Sequence, residues 1–492
     1  MARSVSHDAM ILSALGLATV AIHVWTGGRY GFHRDELATL DDARRLAWGY
    51  VAYPPITPFF GRLSLLLFGT SLAGFRFFAA LAEAVAVVLT GLMARAMGGG
   101  RSAQLVAAAA ALPFCLAGGS LMQYVSFDYL FWVLTIYSVV RLLADGEPRW
   151  WVVIGAAMGL GMMAKYSMVF LAAGLGAGLL LTGARKYLAS KWLWCGLAVA
   201  LAIVSPNLIW QARHSFVSLE FLRTIHARDI RIGRTRDFLP DQLKLTLLAA
   251  PLAAAGLYFY LRAHAGRRYR ALGWMYAALL LLFVVAKGRG YYLAAAYPML
   301  YAGGAVWGEQ RLASMGRGWA GAVRAAAWTA LAVDVALMAA IFLPVAPADS
   351  AWGKWMLRQN GDLHEEFGWQ ELVDTVAQIH RTVPQAAILA LNYGEAGAID
   401  LYGPRYGLSP AISGINSYWQ RGYGNPPPET VIVVGATSAW VARNFASCEL
   451  AGHTGNRYGV ENEETRDHPD IFVCRGLRQS WPEFWRTFRY FG

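Results

Sequence analysis

Apolar runs long enough to cross a bilayer recur along this chain from its start to about Pro344 and then stop. A helix needs about 20 residues to span the roughly 30 Å hydrocarbon layer. Eleven runs meet or approach that length, near residues 9–27, 72–97, 102–118, 122–144, 150–164, 167–183, 191–210, 242–262, 271–286, 291–307 and 319–344. The fifth and sixth are short and joined only by "KYS". The chain is therefore read as an α-helical polytopic membrane protein of about eleven spans. Composition agrees, since 15% of its residues are charged against roughly 25% in ordinary soluble domains, and its mean hydropathy is +0.37.

The net charge of +12 suggests nucleic acid until its distribution is considered. With the N-terminus inside, the short cytoplasmic connections hold thirteen arginines and lysines, from Arg95 to Arg317, while the short outer turns hold only Lys165, Lys287 and Arg289. That is the positive-inside asymmetry, so the charge reports topology and no nucleic-acid partner is expected. The expected location is a bacterial inner membrane, with the N-terminus cytoplasmic. Residues 28–71, 211–241 and everything after about 345 then lie outside. The first run follows Arg3 as a signal peptide would, but no small-residue cleavage site comes after it, so it is read as a retained span.

Two domains are expected: a transmembrane part, residues 1–345, with the outer loop 28–71, and an extracytoplasmic α/β part, residues 346–492. In the second, the strand-like "AAILAL" and "TVIVVG" alternate with helical "GWQELVDTVAQIHR" and "SAWVARNFA". Cys115 and Cys195 lie inside spans and read as small core residues. Cys448 and Cys474 share the outer part, where an oxidising compartment permits a disulfide but two cysteines do not demand one.

The first outer loop concentrates charge in "FHRDELATLDDARRLAWGYVAYPP". From His33 to Trp48 the residues Leu37, Leu40, Ala43 and Ala47 share a face, so this helix is expected to rest on lipid with its charges turned upward. Asp35 and Glu36 sit at its start, near the positive end of the helix, where a carboxylate is held charged. Such a carboxylate can accept a proton from a hydroxyl or orient it for attack; the plainer reading is a helix cap paired with Arg34. Asp128, at the outer end of the fourth span, is a lone acid at a membrane boundary, which needs a polar partner or a function.

"HRDEL", "GYVAYPPI", "SFDYLFWVL", "GLGMMAKYSMVFL" and "KGRGYYLAAAYPML", in that order, together with "NRYGVENEE" in the tail, resemble the bacterial glycosyltransferases of family 39. These are relatives of the protein O-mannosyltransferases and of the aminoarabinose transferase that modifies lipid A. The resemblance implies the membrane-embedded C-type glycosyltransferase fold and transfer of a sugar from a polyprenyl phosphate at the outer face, with inversion, to a glycan, lipid or protein hydroxyl. It places the catalytic acid, the first of an Asp-Glu pair, at Asp35, and the second loop's acid at Asp128. The chain departs at "AYPP", where the aminoarabinose enzymes carry a lysine before the prolines and Tyr53 stands here.

The chemistry also requires donors for the departing phosphate. Lys165, Lys287 and Arg289, with Tyr166, Tyr291 and Tyr292 beside them, are the candidates, against interfacial anchoring as the alternative. In the outer part, "LNYGEAGAIDLYG" is a weak phosphate-cradle signal, and Tyr418, Trp419 and Tyr423 read as packing against the membrane part before sugar platforms. The histidines form no pair at metal-ligand spacing, so no metal or other cofactor is expected, although converging loop acids would suit a divalent ion. The rival reading, a transporter or flippase for lipid-linked sugars, would place ionisable groups along a midplane path, for which Glu83 and Asp334 are the candidates.

Overall fold

The computed structural model describes residues 2–492, with side chains from Asp8 onward. The first run forms α1 (Ala2–Thr26), and the outer stretch after it folds into α2 (Arg34–Arg44) and α3 (Ile56–Phe68). The next runs form α4 (Leu72–Ala96), α5 (Arg101–Gly118), α6 (Tyr124–Asp145), α7 (Trp150–Met162), α8 (Met168–Leu180) and α9 (Lys191–Arg213). The second outer stretch carries α10 (Val217–Arg231), and α11 (Phe238–Thr246) with α12 (Ala250–Leu261) make up the eighth run. Then α13 (Arg270–Val285), α14 (Tyr297–Ala313) and α15 (Arg317–Phe342) complete the set.

All eleven expected runs are helical, but they are unequal. Among the described residues eight helices are long and apolar enough to cross a membrane, α11 and α12 counting as one. The three that fall short are α7 and α8, of 13 residues each, and α14, of 17. A 3-10 stretch at Gly183–Ala189 turns away from α8 by 116°.

Small residues bring the spans together, as expected where lipid offers no hydrophobic drive between helices. Buried alanines line the faces of α4 and α5, including Ala79, Ala86, Ala107 and Ala111. At α7 against α9 a Cβ on Gly155 would lie 2.0 Å from the Gly196 carbonyl oxygen, so the two backbones touch and only glycine fits. Cys115 is a buried core residue as expected; Cys195 is exposed on α9, which corrects that expectation.

Beyond α15 the chain forms α16 (Ala351–Gln359), α17 (Trp369–Thr382), β1 (Ala387–Ala390), α18 (Tyr393–Tyr402), β2 (Thr430–Val434), α19 (Ser438–Asn444), β3 (Phe445–His453), α20 (Glu463–Asp467), β4 (Asp470–Leu477) and α21 (Trp481–Thr487). The sheet order is β1-β2-β4-β3, with β1 and β2 parallel and the other pairs antiparallel. α17 buries Leu372, Val373, Val376 and Ile379, the apolar face its 3.6-residue period creates. Cys448 and Cys474, facing partners on β3 and β4, are joined by a disulfide.

This C-terminal part, termed the outer domain after the orientation expected from the sequence, sits directly on α2. A Cβ on Gly397 of α18 would lie 2.8 Å from the Leu37 side chain, so the two helices cross at close range. This corrects the expected lipid-resting helix: Leu37, Leu40 and Ala43 are buried, and so are Asp41 and Asp42. Their charges are matched from above. Arg421 pairs with both Asp41 and Asp42, Arg45 pairs with Asp41 and Asp400, and Arg34 reaches Glu463 and Glu365.

Candidate active site

Asp35 is the second residue of α2. The N-cap is His33, whose Nδ1 accepts from the Asp35 N–H at 3.1 Å, and the reciprocal bond runs from the His33 N–H to the Glu36 carboxylate at 2.9 Å. This box satisfies the first orphan donors of the helix without using the Asp35 side chain. Nor does Asp35 pair with Arg34, which is turned toward the outer domain. The half-buried Asp35 carboxylate accepts from the Tyr393 hydroxyl at 2.8 Å on Oδ1 and from the Gln123 amide at 3.1 Å on Oδ2.

The structure separates Glu36 from its neighbour. Its side chain is fully buried, takes Arg76 Nη2 at 2.6 Å and Nε at 2.9 Å, and accepts the Met122 N–H at 2.8 Å. Expected beside Asp35 as a reactive group, it is instead a buried tie between α2, α4 and the turn before α6. Glu366 of the outer domain joins the same guanidinium at 3.3 Å; burial, opposed by Arg76, pushes its carboxyl up to about 7.

Asp35 lines a cavity of about 1360 Å³ enclosed between α2, the outer ends of the spans, α10 and the outer domain. Lys165, Tyr166, Lys287, Arg289 and Tyr292 line it as well. Asp128 and Tyr291 stand behind this wall. Asp128, 9% exposed, accepts from the Ser167 hydroxyl at 2.5 Å and lies 3.4 Å from Lys165 Nζ. That ammonium is surrounded by the rings of Tyr292, Tyr291 and Tyr124, at 4.6, 5.0 and 5.2 Å from their centroids, an arrangement that holds a cation by its attraction to aromatic faces.

The remaining candidates divide. The Tyr166 hydroxyl donates to Asn207 at 3.0 Å and accepts from Gln211 at 2.8 Å, and Asn207 in turn donates to the Trp48 carbonyl, so this tyrosine stitches α9 to the first outer loop. Arg289 Nε pairs with Asp229 of α10 at 2.6 Å. Lys287 is exposed, held at φ 49°, and its side chain has no hydrogen bond or ion pair among the described residues.

The wall also holds residues not singled out from the sequence. Arg223, His226, Arg228 and Arg234, all from the second outer stretch, face the cavity; Arg228 Nε is buried and without a partner among the described residues. The signal was the density of arginine in residues 223–236. Tyr53, which stands where the aminoarabinose enzymes carry a lysine, also lines the cavity and donates to Asp42 at 2.7 Å. Burial pushes the Asp42 carboxyl up to about 7 despite the Arg421 charge beside it.

In the outer domain, Glu395 fills the weak phosphate cradle itself, accepting the Leu391 and Asn392 N–H groups at 3.1 and 3.0 Å. Trp419 and Trp485 exchange indole-to-carbonyl bonds and Tyr423 stacks on Trp481, so Trp419 and Tyr423 pack within their own domain, which corrects the expected packing against the membrane part. Among the described residues no group of His, Cys, Asp and Glu is placed to hold a metal ion.

Residues 52–210 match the family described as dolichyl-phosphate-mannose-protein mannosyltransferase. No curated protein matches the chain. Among solved structures, ArnT from Cupriavidus metallidurans bound to undecaprenyl phosphate is 16% identical with a TM-score of 0.54, covering 94% of this chain and 97% of that one. The same protein in the apo state is 16% identical with a TM-score of 0.56, over 96% and 98% of the two chains. The arabinofuranosyltransferase AftD from Mycobacteria is 14% identical with a TM-score of 0.53, covering 96% of this chain and 42% of that one. The resemblance drawn from the sequence is thus supported by the mannosyltransferase family match over residues 52–210, and the fold, over nearly the whole chain, is the one the ArnT structures have.

Proposed function

We propose that this chain takes a sugar from a polyprenyl-phosphate donor at the outer face of the membrane and passes it, with inversion, to the hydroxyl of a glycan, lipid or protein acceptor. The observation that carries this reading is the Asp35 carboxylate, held by neutral donors, on the wall of a cavity that also carries Lys287, Arg223 and Arg228, none of them paired with a carboxylate among the described residues. Asp35 accepts the acceptor's proton as its oxygen bonds to the sugar carbon. The bond to the phosphate oxygen breaks, and Lys287, Arg228 and Arg289, with Lys165 in its aromatic surround, stabilise the charge left on the lipid phosphate. Asp128 acts through Lys165. The ArnT structure of the same fold, with undecaprenyl phosphate bound, supports the donor class.

The outer-face location is supported by the arginine-rich inner loops and by the Cys448–Cys474 disulfide, a bond favoured in oxidising compartments. Thiol labelling of intact cells at Asn425→Cys is expected to succeed without permeabilisation; labelling only after permeabilisation overturns the orientation. A transporter would need a polar path across the membrane. Asp334 instead accepts the Leu248 and Ala249 N–H groups at 3.3 and 3.1 Å, capping the break between α11 and α12, and Glu83 packs against Gly118 without lining the cavity. The test is incubation of the purified protein with a panel of polyprenyl-phosphate sugars, following release of the lipid phosphate. Release with at least one sugar is expected; none with any of them returns the transport reading.

A further inference from the structure

The outer domain does more than cover the cavity. α18 begins at Asn392, whose side chain accepts the Gly394 N–H at 2.7 Å while Glu395 closes the reciprocal box, so the direction of Tyr393 is fixed by a capped helix start. The helix is pressed onto α2 through its glycines: a Cβ on Gly394 would lie 2.6 Å from Trp369 and 3.0 Å from the Arg34 Cβ, and one on Gly397 would meet the Leu37 backbone at 2.8 Å. The Arg34 guanidinium lies 5.0 Å from the Tyr393 ring centroid and is itself tied to Glu463 and Glu365 of the outer domain. The result is a tyrosine hydroxyl 2.8 Å from Asp35 Oδ1, delivered from 358 residues away in sequence.

We propose that Tyr393 is a positioning residue for Asp35, so that the reactive carboxylate is aimed jointly by the membrane part, through Gln123, and by the outer domain. The proposal rests on the reading of Asp35 as the acceptor's base. A carboxylate with two lone pairs engaged, one on each oxygen, keeps one rotamer, and the remaining lone pairs face the cavity where the acceptor must sit. Burial, together with the Asp35 charge, drives the Tyr393 hydroxyl far above the ordinary tyrosine range, so it remains a donor wherever Asp35 is charged. Without the outer domain, Asp35 would keep only the 3.1 Å bond to Gln123.

The test is a double-mutant cycle between Tyr393→Phe and Asp35→Asn in the full-length protein, read as turnover with the polyprenyl-phosphate sugar that supports release. Tyr393→Phe removes one oxygen and leaves the ring on Arg34. It is expected to lower kcat about tenfold, the order of one hydrogen bond to a charged group, with the KM for donor unchanged. In the Asp35→Asn background the same change is expected to have no further effect, because there is no base left to aim. A purely structural tyrosine would cost the same in both backgrounds, and that result overturns the proposal. Wild-type turnover in Tyr393→Phe overturns it too, whereas near-normal turnover in Asp35→Asn instead sinks the reading of Asp35 itself. Gln123→Leu probes the same carboxylate from the membrane side; if Tyr393→Phe fails to fold, additivity of Gln123→Leu with Asp35→Asn contradicts joint aiming.

Discussion

Two stretches concentrate charge beside the spans, and they treat it in opposite ways. In residues 33–45 nearly every charge is matched: Glu36 by Arg76, Asp41 and Asp42 by Arg421, Arg45 by Asp400, and Arg34 by Glu463. In residues 223–236 and 287–289 cations outnumber acids, Asp229 being shared between Arg289 and Arg234 while Lys287 and Arg228 have no carboxylate partner among the described residues. Paired charge beside a membrane is structure, because an ion taken from water is tolerated only with its partner. Unpaired charge facing a cavity awaits a ligand of opposite sign. The exception within the first stretch is Asp35, which takes neutral donors from two domains, and this singles it out.

The comparison can be broken first at Glu36. If it is a structural ion, Glu36→Ala should cost about 3 kcal/mol, the lower end for a broken buried pair because Glu366 still faces Arg76, read as a large fall in the unfolding temperature in detergent. A variant as stable as wild type but without turnover would move Glu36 back among the reactive groups.

Next come the unpaired cations. Arg228→Ala and Lys287→Ala should each raise the KM for donor about ten- to a hundredfold, since a hydrogen bond to a charged group is worth about 1.5 to 3 kcal/mol, with little change in unfolding temperature. Arg289→Ala should act less on donor use and more on stability, because Asp229 is its partner. Equal donor kinetics in all three variants would make these residues interfacial anchors.

The smallest effect is in pH. Burial pushes Glu395 up to about 8 and Glu464, despite the Arg34 charge, up to about 7, so both hold protons in the folded protein that an unfolded chain loses near pH 4. The folded state therefore binds more protons across that window, and its stability falls as pH rises from about 4 to 8. Between pH 6 and 8 this should cost about 2 kcal/mol for Glu395 and about 1 kcal/mol for Glu464, and the outer domain should melt several degrees lower at pH 8 than at pH 6. A melting temperature that rises over this interval would show that these carboxylates are charged in the fold.

The spans were legible in the sequence because lipid imposes a length and a composition on each helix; β1 and β2 were legible because both are unbroken apolar runs. β3 was not, since eight of its nine residues are at least partly exposed at the sheet edge. Asp35, Lys165 and Lys287 could be named because charge is rare beside spans. Tyr393, Gln123 and Arg228 could not, because a tyrosine at a helix start or one arginine among many carries no local mark; only the docking of α18 on α2, and of α10 over the cavity, gives them a role. The same docking explains why α2 was misjudged as a helix resting on lipid: its acids lie on the face that the outer domain covers.

The central claim is that Asp35 is the base of a transfer from a lipid phosphate, and Asp35→Asn tests it most directly. The substitution leaves the His33 cap, keeps a carbonyl oxygen for the Gln123 amide and lets the Tyr393 hydroxyl turn to accept from the new NH2, so the unfolding temperature should hardly change. Loss of a general base is typically worth about 10² to 10⁴ in rate, and release of polyprenyl phosphate should fall at least about a hundredfold with the KM for donor preserved. Near-normal release by a folded Asp35→Asn protein would contradict the account.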